Sequence, residues 1–316
     1  MKSGMQILGA FLALVLYFIA TTGCDPDTLG PISQSPTTGD VVTQAPTSNA
    51  VIMGSFNIQV FGRAKIGKSD VTNILVDVAR RFDILAIQEL RSTDQSIIPR
   101  FVDMINSDGS KFAYVVGPRQ GYTISTEQYV YIYDSEKIEL LDEPFVAPAP
   151  PNRIHRSPLV ARFRCRTPNP DQGFTFTLLN VHVDPDEVAM EADTLVSVLN
   201  EVRRIQPYED DLILLGDINA PPRFFQSYPW FNNQYPVVAD DWATMTGKDL
   251  NRDNIVFDAM NTSEYLRQSG VMNLMHEYQI SVEDAQLVSD HMPVWAVFSA
   301  TEYSTQMANE EDAVLR

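Results

Sequence analysis

Nine short runs of β-branched and aromatic residues lie between Val51 and Ala300: "VIMGSFNI", "DILAIQ", "FAYVVG", "QYVYIY", "LVARFRC", "FTLLNVHV", "DLILLG", "NIVF" and "VWAVFS". Each is strand length, and turn residues separate them. Only three segments carry a helical period. After Ser69, a cap candidate, Val71, Ile74, Leu75, Val78 and Phe82 recur at i, i+3, i+4 and i+7. Residues 95–106 do the same, as do residues 187–206 along Val188, Ala192, Leu195, Leu199 and Val202 up to Pro207. Many strands with few helices predict two packed sheets flanked by helices; a single doubly wound sheet fits less well.

The ends of the chain read differently. Lys2 precedes the 14-residue apolar stretch "ILGAFLALVLYFIA", which is short for a membrane span. "TTGC" follows, so residues 1–24 are expected to be a signal peptide whose end resembles a bacterial lipobox, with Cys24 as the lipid acceptor. Thr21 stands where Leu is usual in that motif. Ordinary secretion and an uncleaved anchor are the alternatives. The expectation is an exported protein: a periplasmic or cell-envelope lipoprotein, or a secreted one. Residues 25–50, rich in Thr, Ser, Pro, Gly and Asp, read as a disordered linker, 51–300 as the folded domain, and 301–316 as a flexible acidic tail. If Cys24 carries lipid, Cys165 is alone and no disulfide framework exists. Cys165, within "VARFRCR", reads as a small strand-interior residue.

A formal net charge of −18 argues against a protein that coats nucleic acid. It leaves room for a nuclease that meets phosphate through a few arginines and a divalent cation.

Polar residues of one chemical kind recur where the apolar runs end. "SFNI" presents Asn57, "DILAIQEL" Glu89 with Arg91 just beyond, and "LLNVHVD" His182. "LLGDINA" presents Asp217 and Asn219, "NRDNIVFD" Asp253, and "SDHMPVWAVF" Asp290 and His291. Any one of these is more simply a solvated turn residue. Their recurrence points to a shared site, and hard oxygen donors suit Mg²⁺, Mn²⁺ or Ca²⁺; the Cys and closely spaced His of a zinc site are missing.

"FNIQVFG", "QELRS", "STEQYVYIY", "RSPLVARF", "NVH", "GDINA", "RDNIV" and "SDHMPV" follow one another as in the endonuclease/exonuclease/phosphatase superfamily, and the chain resembles its deoxyribonuclease I branch most. "GDxN" and "SDHxP" are shared with phosphatases, sphingomyelinases and abasic-site endonucleases. "FNIxxFG", "QExRxS" and the run "VARRFDILAIQELRS" lean toward deoxyribonuclease I. The resemblance spans roughly residues 51–300. It implies a four-layer α/β/β/α sandwich and hydrolysis of DNA phosphodiesters by in-line attack of water, leaving a 5′-phosphate, with Mg²⁺ as cofactor and Mn²⁺ or Ca²⁺ as alternatives. It also implies roles. Glu89 and Asn57 match the metal-holding positions. His182 with Glu127, and His291 with Asp253, match two His–carboxylate pairs. Asp217, Asn219 and Asp290 match residues holding metal, scissile phosphate and attacking water. Arg91 and Arg156 match residues that grip the DNA backbone and reach toward the minor groove.

Departures accompany the resemblance. Ser125 stands where vertebrate enzymes of this branch commonly carry Tyr, and Asn254 where Arg commonly follows the Asp. The branch's disulfides are absent, and of its calcium loops only Asp240 and Asp241 offer donors; both read more simply as solvated acids. His155 and His276 read as structural or surface residues; Tyr122 reads more simply as a surface turn aromatic than as a replacement for the contact missing at Ser125. A monomer is expected, with DNA as substrate and membrane contact only through the N-terminal lipid or anchor. The rival reading is a phosphoesterase of the same superfamily acting on a phospholipid headgroup or inositol phosphate. A binding protein on a degenerate nuclease scaffold is disfavoured, because no principal catalytic residue is missing.

Overall fold

The computed structural model describes residues 49–122 and 126–303. The expected signal peptide, Cys24, nearly all of the linker, most of the acidic tail and Ser125 lie outside them. Two mixed sheets form the centre. One has six strands in the order β12 (Tyr265–Val271), β13 (Val294–Ser299), β1 (Ala50–Phe61), β2 (Ile84–Leu90), β4 (Gln128–Asp134) and β3 (Phe112–Val116). The other runs β10 (Gln234–Pro236), β11 (Asp253–Asp258), β9 (Leu212–Asp217), β8 (Thr175–His182), β7 (Leu159–Cys165) and β5 (Ile138–Leu140), with β6 (Phe145–Val146) also paired to β7. The helices are α1 (Arg63–Ile66), α2 (Ser69–Arg80), α3 (Ile97–Ile105), α4 (Val188–Ile205), α5 (Pro222–Phe225), α6 (Leu274–Tyr278) and α7 (Val282–Val288). Three of them, α2, α3 and α4, fall on the three helix-period segments. Among the described residues no helix is long and apolar enough to cross a membrane.

Three layers of apolar contact explain why the central strands are apolar throughout. Ile52, Phe56 and Ile58 of β1, with Leu85 and Ile87 of β2, face Val71, Leu75 and Val78 of α2 and Ile98, Phe101 and Val102 of α3. The intervening residues, Val51, Met53, Ile84 and Ala86, face the second sheet. There they pack with Tyr129, Tyr131, Phe163, Phe176, Leu178, Ile213, Leu215, Ile255 and Phe257. Val198, Leu199 and Val202 of α4 cover the far face of the second sheet, over Val160 and Leu179. The result is the expected α/β/β/α sandwich. Cys165 is buried in the inter-sheet core, and burial pushes its thiol up, which makes it inert.

Strand alternation then places chemistry at one end of this core. Side chains two residues apart share a face, so each inter-sheet row continues past its apolar members. Val51–Met53–Ser55 runs on to Asn57, Tyr133–Tyr131–Tyr129 to Glu127, and Phe176–Leu178–Asn180 to His182. Ile213–Leu215 leads to Asp217, and Phe257–Ile255 to Asp253. Gln88 and Asn180 mark the change from apolar to polar: Gln88 Nε2 donates to Asn180 Oδ1 across the sheets at 2.7 Å.

Candidate active site

Pairing brings the ends of these rows side by side. His182 is in register with Asp217 in the parallel β8–β9 pair, and Asp253 with Asp217 in the antiparallel β9–β11 pair. Gly216 lets β8 and β9 approach closely: its φ is +149°, and a Cβ there would lie 2.0 Å from the Val181 carbonyl oxygen.

Glu89 breaks the alternation. By period it would point with Leu85 and Ile87 toward the helices. A register irregularity in β2 and a left-handed φ of +65° turn it back to the site. Gln59 (φ +48°), Val60 (+52°) and Asn219 (+54°) are left-handed too. Non-glycine residues rarely adopt this conformation, and such strain gathers where a site dictates side-chain direction. Glu89 Oε2 accepts from Val60 N at 2.8 Å, so the two irregular segments hold each other.

Two His–carboxylate pairs form as expected. His182 Nδ1 lies 2.7 Å from Glu127 Oε1, and His291 Nδ1 lies 2.8 Å from Asp253 Oδ2. An ionised carboxylate only accepts, so each Nδ1 carries a hydrogen and each Nε2 faces the cleft. Both Nε2 atoms converge on one atom, Asp217 Oδ2, each at 3.5 Å. That same oxygen accepts from Asn57 Nδ2 at 3.0 Å, and the Asn57 amide also reaches Glu89 Oε1 at 3.3 Å. One buried amide thus gathers two carboxylates. Burial pulls the His291 imidazole down, but Asp253, Asp217 and Asp290 outweigh it and lift it to about 10. His182 is raised in the same way, by Glu127 and Asp217 against burial and Arg156. Burial raises Glu127, yet His182, Arg156 and Arg91 overcome this and hold it below the usual carboxylate range.

Around them lies an open cleft of ≈ 370 Å³ that also takes in Asp290, Asn219, Arg91, Arg156, Tyr122, His155 and Asp184. Asp290 Oδ1 is 3.9 Å from His291 Nε2. Asn219 gives its amide to Val183 O at 2.8 Å and its backbone N–H to Asp217 Oδ1 at 3.1 Å; the Arg252 guanidinium holds its carbonyl. Arg91 stands at the rim, Nε 3.2 Å from Glu89 and 3.5 Å from Glu127. Arg156 lies deeper than Arg91, on the lining of the cleft. It is only 7% exposed, its Nε donates to His182 O at 3.1 Å, and it lies 3.5 Å from Glu127. Its side chain lines the cleft floor.

Several participants were not legible in the sequence. Lys65 donates to the Ile58, Gln59 and Val288 carbonyls at 2.5–2.8 Å, pinning the left-handed turn of β1 to the segment before His291. Burial draws its ammonium down to about 8, although Asp290 and Glu89 face it. Ser289 donates to Asn57 O at 2.6 Å and accepts from His291 N at 3.0 Å, and Thr244 donates to Asp253 Oδ2 at 2.7 Å. Tyr122 and His155, read as structural or surface residues, form one wall of the cleft, ring centroids 4.9 Å apart. Asn254 is a latch: it accepts from Val238 N and donates to Val238 O. Asp240 accepts from Arg223 N at 2.7 Å, and His276 is exposed.

A model of the "Endonuclease/Exonuclease/phosphatase family" matches residues 54–258, well over half the chain. The chain belongs to the endonuclease/exonuclease/phosphatase family. Among curated proteins it is 25% identical over 257 residues to "Deoxyribonuclease-1" of Oryctolagus cuniculus, covering 77% of this chain and 90% of that protein. It is 25% identical over 264 residues to "Deoxyribonuclease-1" of Homo sapiens, covering 77% and 90%. To "Deoxyribonuclease gamma" of Rattus norvegicus it is 27% identical over 259 residues, covering 76% and 82%. Among solved structures, the human Nocturnin catalytic domain superposes with a TM-score of 0.54 at 14% identity, over 80% of this chain and 94% of that one. A family protein from Bacteroides thetaiotaomicron gives 0.53 at 16% identity, over 81% and 98%. The structural matches carry the fold; the sequence matches make the chain a phosphoesterase of this family, distantly related to deoxyribonuclease I. Family members typically use divalent metals, and Glu89–Glu127–His182 and Asp217–Asp253–His291 each bring three donor atoms within 4.8 Å of one another.

Proposed function

We propose that this protein is a divalent-metal-dependent endonuclease that hydrolyses DNA phosphodiester bonds and leaves 5′-phosphate ends. The observation that carries the reading is the convergence of two carboxylate-backed imidazoles on Asp217 Oδ2, beside a second carboxylate and two arginines. A phosphodiester is anionic and repels hydroxide, so charge must be neutralised before attack.

The donor set fits a hard cation. Glu89 Oε1 and Asp217 Oδ2 share the single donor Asn57 Nδ2 and are thereby held close, with Asp290 on the same cleft. Glu89, Asp217 and Asp290, with Asn57 beside them, would hold Mg²⁺, or Mn²⁺ or Ca²⁺ in its place. Bound there, the cation supplies Lewis-acid stabilisation of charge growing on the phosphate oxygens.

The chain's own residues do the rest. Arg91 and Arg156 receive the phosphate at the rim and floor. His182 and His291 each present Nε2 to the reacting group while Nδ1 stays bonded to Glu127 or Asp253. One imidazole can therefore accept a proton from water and the other can donate one to the departing oxygen. Each such group typically contributes ~10²–10⁴ in rate. The carboxylate behind each ring fixes its tautomer and stabilises its charged form.

The deoxyribonuclease relatives at 24–27% identity favour DNA as substrate. We further propose export, with the N-terminal segment as signal or tether. The test is a substrate panel of supercoiled plasmid, RNA, sphingomyelin and inositol phosphates, each with Mg²⁺ and with EDTA. Hydrolysis of plasmid alone or foremost supports the reading; hydrolysis of a lipid or inositol phosphate with plasmid left intact refutes it.

A further inference from the structure

A second oxygen cluster lies at the opposite end of the sandwich. Asp211 immediately precedes β9, whose far end is Asp217, and a strand rises ~3.3 Å per residue, so the two are about 20 Å apart. Asp211, Glu264 and Glu302 bring one carboxylate oxygen each within 4.8 Å of one another, and Glu209 and Asp210 adjoin them. Asp211 and Glu264 are each 1% exposed. Asp211 Oδ1 and Glu264 Oε2 are buried without a hydrogen-bond partner, while the Thr262 hydroxyl is placed to donate to the Asp211 carboxylate. Buried polar atoms are nearly always satisfied, so two orphan carboxylate oxygens in one corner call for an electropositive partner. Among the described residues no ion pair involves Asp211, Glu264 or Glu302. The nearby Arg162 is committed to Glu209 at 2.9 Å and Asp142 at 3.4 Å.

We infer that Asp211, Glu264 and Glu302, with the Thr262 hydroxyl, form a structural site for a hard divalent cation of the calcium type. The donors are all oxygen, without His or Cys, which excludes a zinc-like preference. Calcium tolerates irregular geometry and takes six to eight oxygens, whereas Mg²⁺ demands a near-ideal octahedron.

The site would join the two sheets. Glu264 leads into β12 of the first sheet and accepts from Tyr303 N at 2.7 Å; its own carbonyl accepts from Ser299 N. Asp211 leads into β9 of the second, and Glu302 accepts from Thr175 N of β8 at 3.0 Å. A cation among them would tie β8 and β9 to β12 and to the segment after β13, where Glu302 N already donates to Gln172 O at 2.9 Å.

The test is thermal unfolding of the metal-stripped full chain, with and without saturating CaCl₂. Wild type is expected to gain ~5 °C in Tm. Glu89→Gln, which alters the oxygen cluster of the catalytic cleft, is expected to keep that gain, and the double variant Asp211→Asn/Glu264→Gln to lose it. Should the double variant not fold, Glu302→Gln alone is expected to raise the calcium concentration needed for half the shift by about tenfold, since fewer ligand charges weaken such sites. No shift in wild type would overturn the proposal, leaving carboxyls that merely share protons. So would a shift that disappears in Glu89→Gln but persists in the Asp211 and Glu264 or Glu302 variants.

Discussion

Replacing Glu127 by Gln keeps the shape of the side chain and removes its charge. The Glu127 carboxylate is 1% exposed, bonds His182 Nδ1 at 2.7 Å, and lies 3.5 Å from both the Arg91 and Arg156 guanidinium groups. Removing one member of a buried charge pair typically costs ~3–5 kcal/mol, because the partner stays buried and uncompensated. Arg91 keeps Glu89 at 3.2 Å and Arg156 keeps Asp184 at 3.9 Å, so the low end, about 3 kcal/mol, is expected. For a domain of this size that is a fall in Tm of ~6–12 °C. The catalytic consequence is separate. A Gln amide can turn its NH₂ toward Nδ1 and favour the tautomer with hydrogen on Nε2, and His182 loses the charge that holds its proton. Nicking at 25 °C, where the variant remains folded, should therefore fall ~10²–10⁴-fold. Initial rates on supercoiled plasmid and a melting curve give the two numbers independently. A lowered Tm with nicking within about threefold of the parent would refute the reasoning and leave Glu127 a structural acid.

Three further outcomes follow from the same geometry. His182→Ala and His291→Ala should each lose at least ~10² in rate with DNA binding little changed, while exposed His276→Ala behaves as the parent; equal losses at all three would mean the changes act through folding. Asp253 is the first of the carboxylates that raise His291, so Asp253→Asn should lower its pKa, and the limb of the kcat/KM–pH profile set by His291 should move to lower pH; an unmoved profile contradicts the assignment. With a net charge of −18, DNA binding rests on few contacts, so the slope of log K against log salt should be shallow, ~2–4, for an inactive variant in Ca²⁺, and Arg91→Ala should reduce it by about 1. A slope of ~8 or more, unchanged in Arg91→Ala, would reveal a basic surface elsewhere.

The parts of this site that could be read from sequence are those that obey strand alternation. Asp217 and Asp253 each continue an apolar row by two residues, and Asn57 and His182 do so one polar residue later, past Ser55 and Asn180, so a periodicity of two and a polar ending locate them. Glu127 lies in such a row too, but was found through the motif "STEQ", since an acid before "QYVYIY" is by itself an ordinary turn residue. Period alone points Glu89 at the helices; its direction toward the cleft depends on a left-handed φ that nothing in "IQELR" announces. Lys65 on α1 and Ser289 and Thr244 in loops act through hydrogen bonds that reach other segments, and a Lys, Ser or Thr carries no local signal of that. The burial of Arg156, which comes from its contacts with His182 and Glu127, has no local signal in "RSPLVARF". The Asp211–Glu264–Glu302 corner is invisible along the chain, being assembled from three segments at the base of both sheets.

The most direct test of the nuclease reading is the initial rate at which the purified protein converts supercoiled plasmid to nicked circles, in Mg²⁺ and in EDTA, beside Glu89→Gln. Nicking in Mg²⁺ that disappears in EDTA and is strongly reduced in Glu89→Gln, with 5′-phosphate ends on the products, is the expected result. Plasmid that stays supercoiled in Mg²⁺, or nicking that continues undiminished in EDTA, would contradict it.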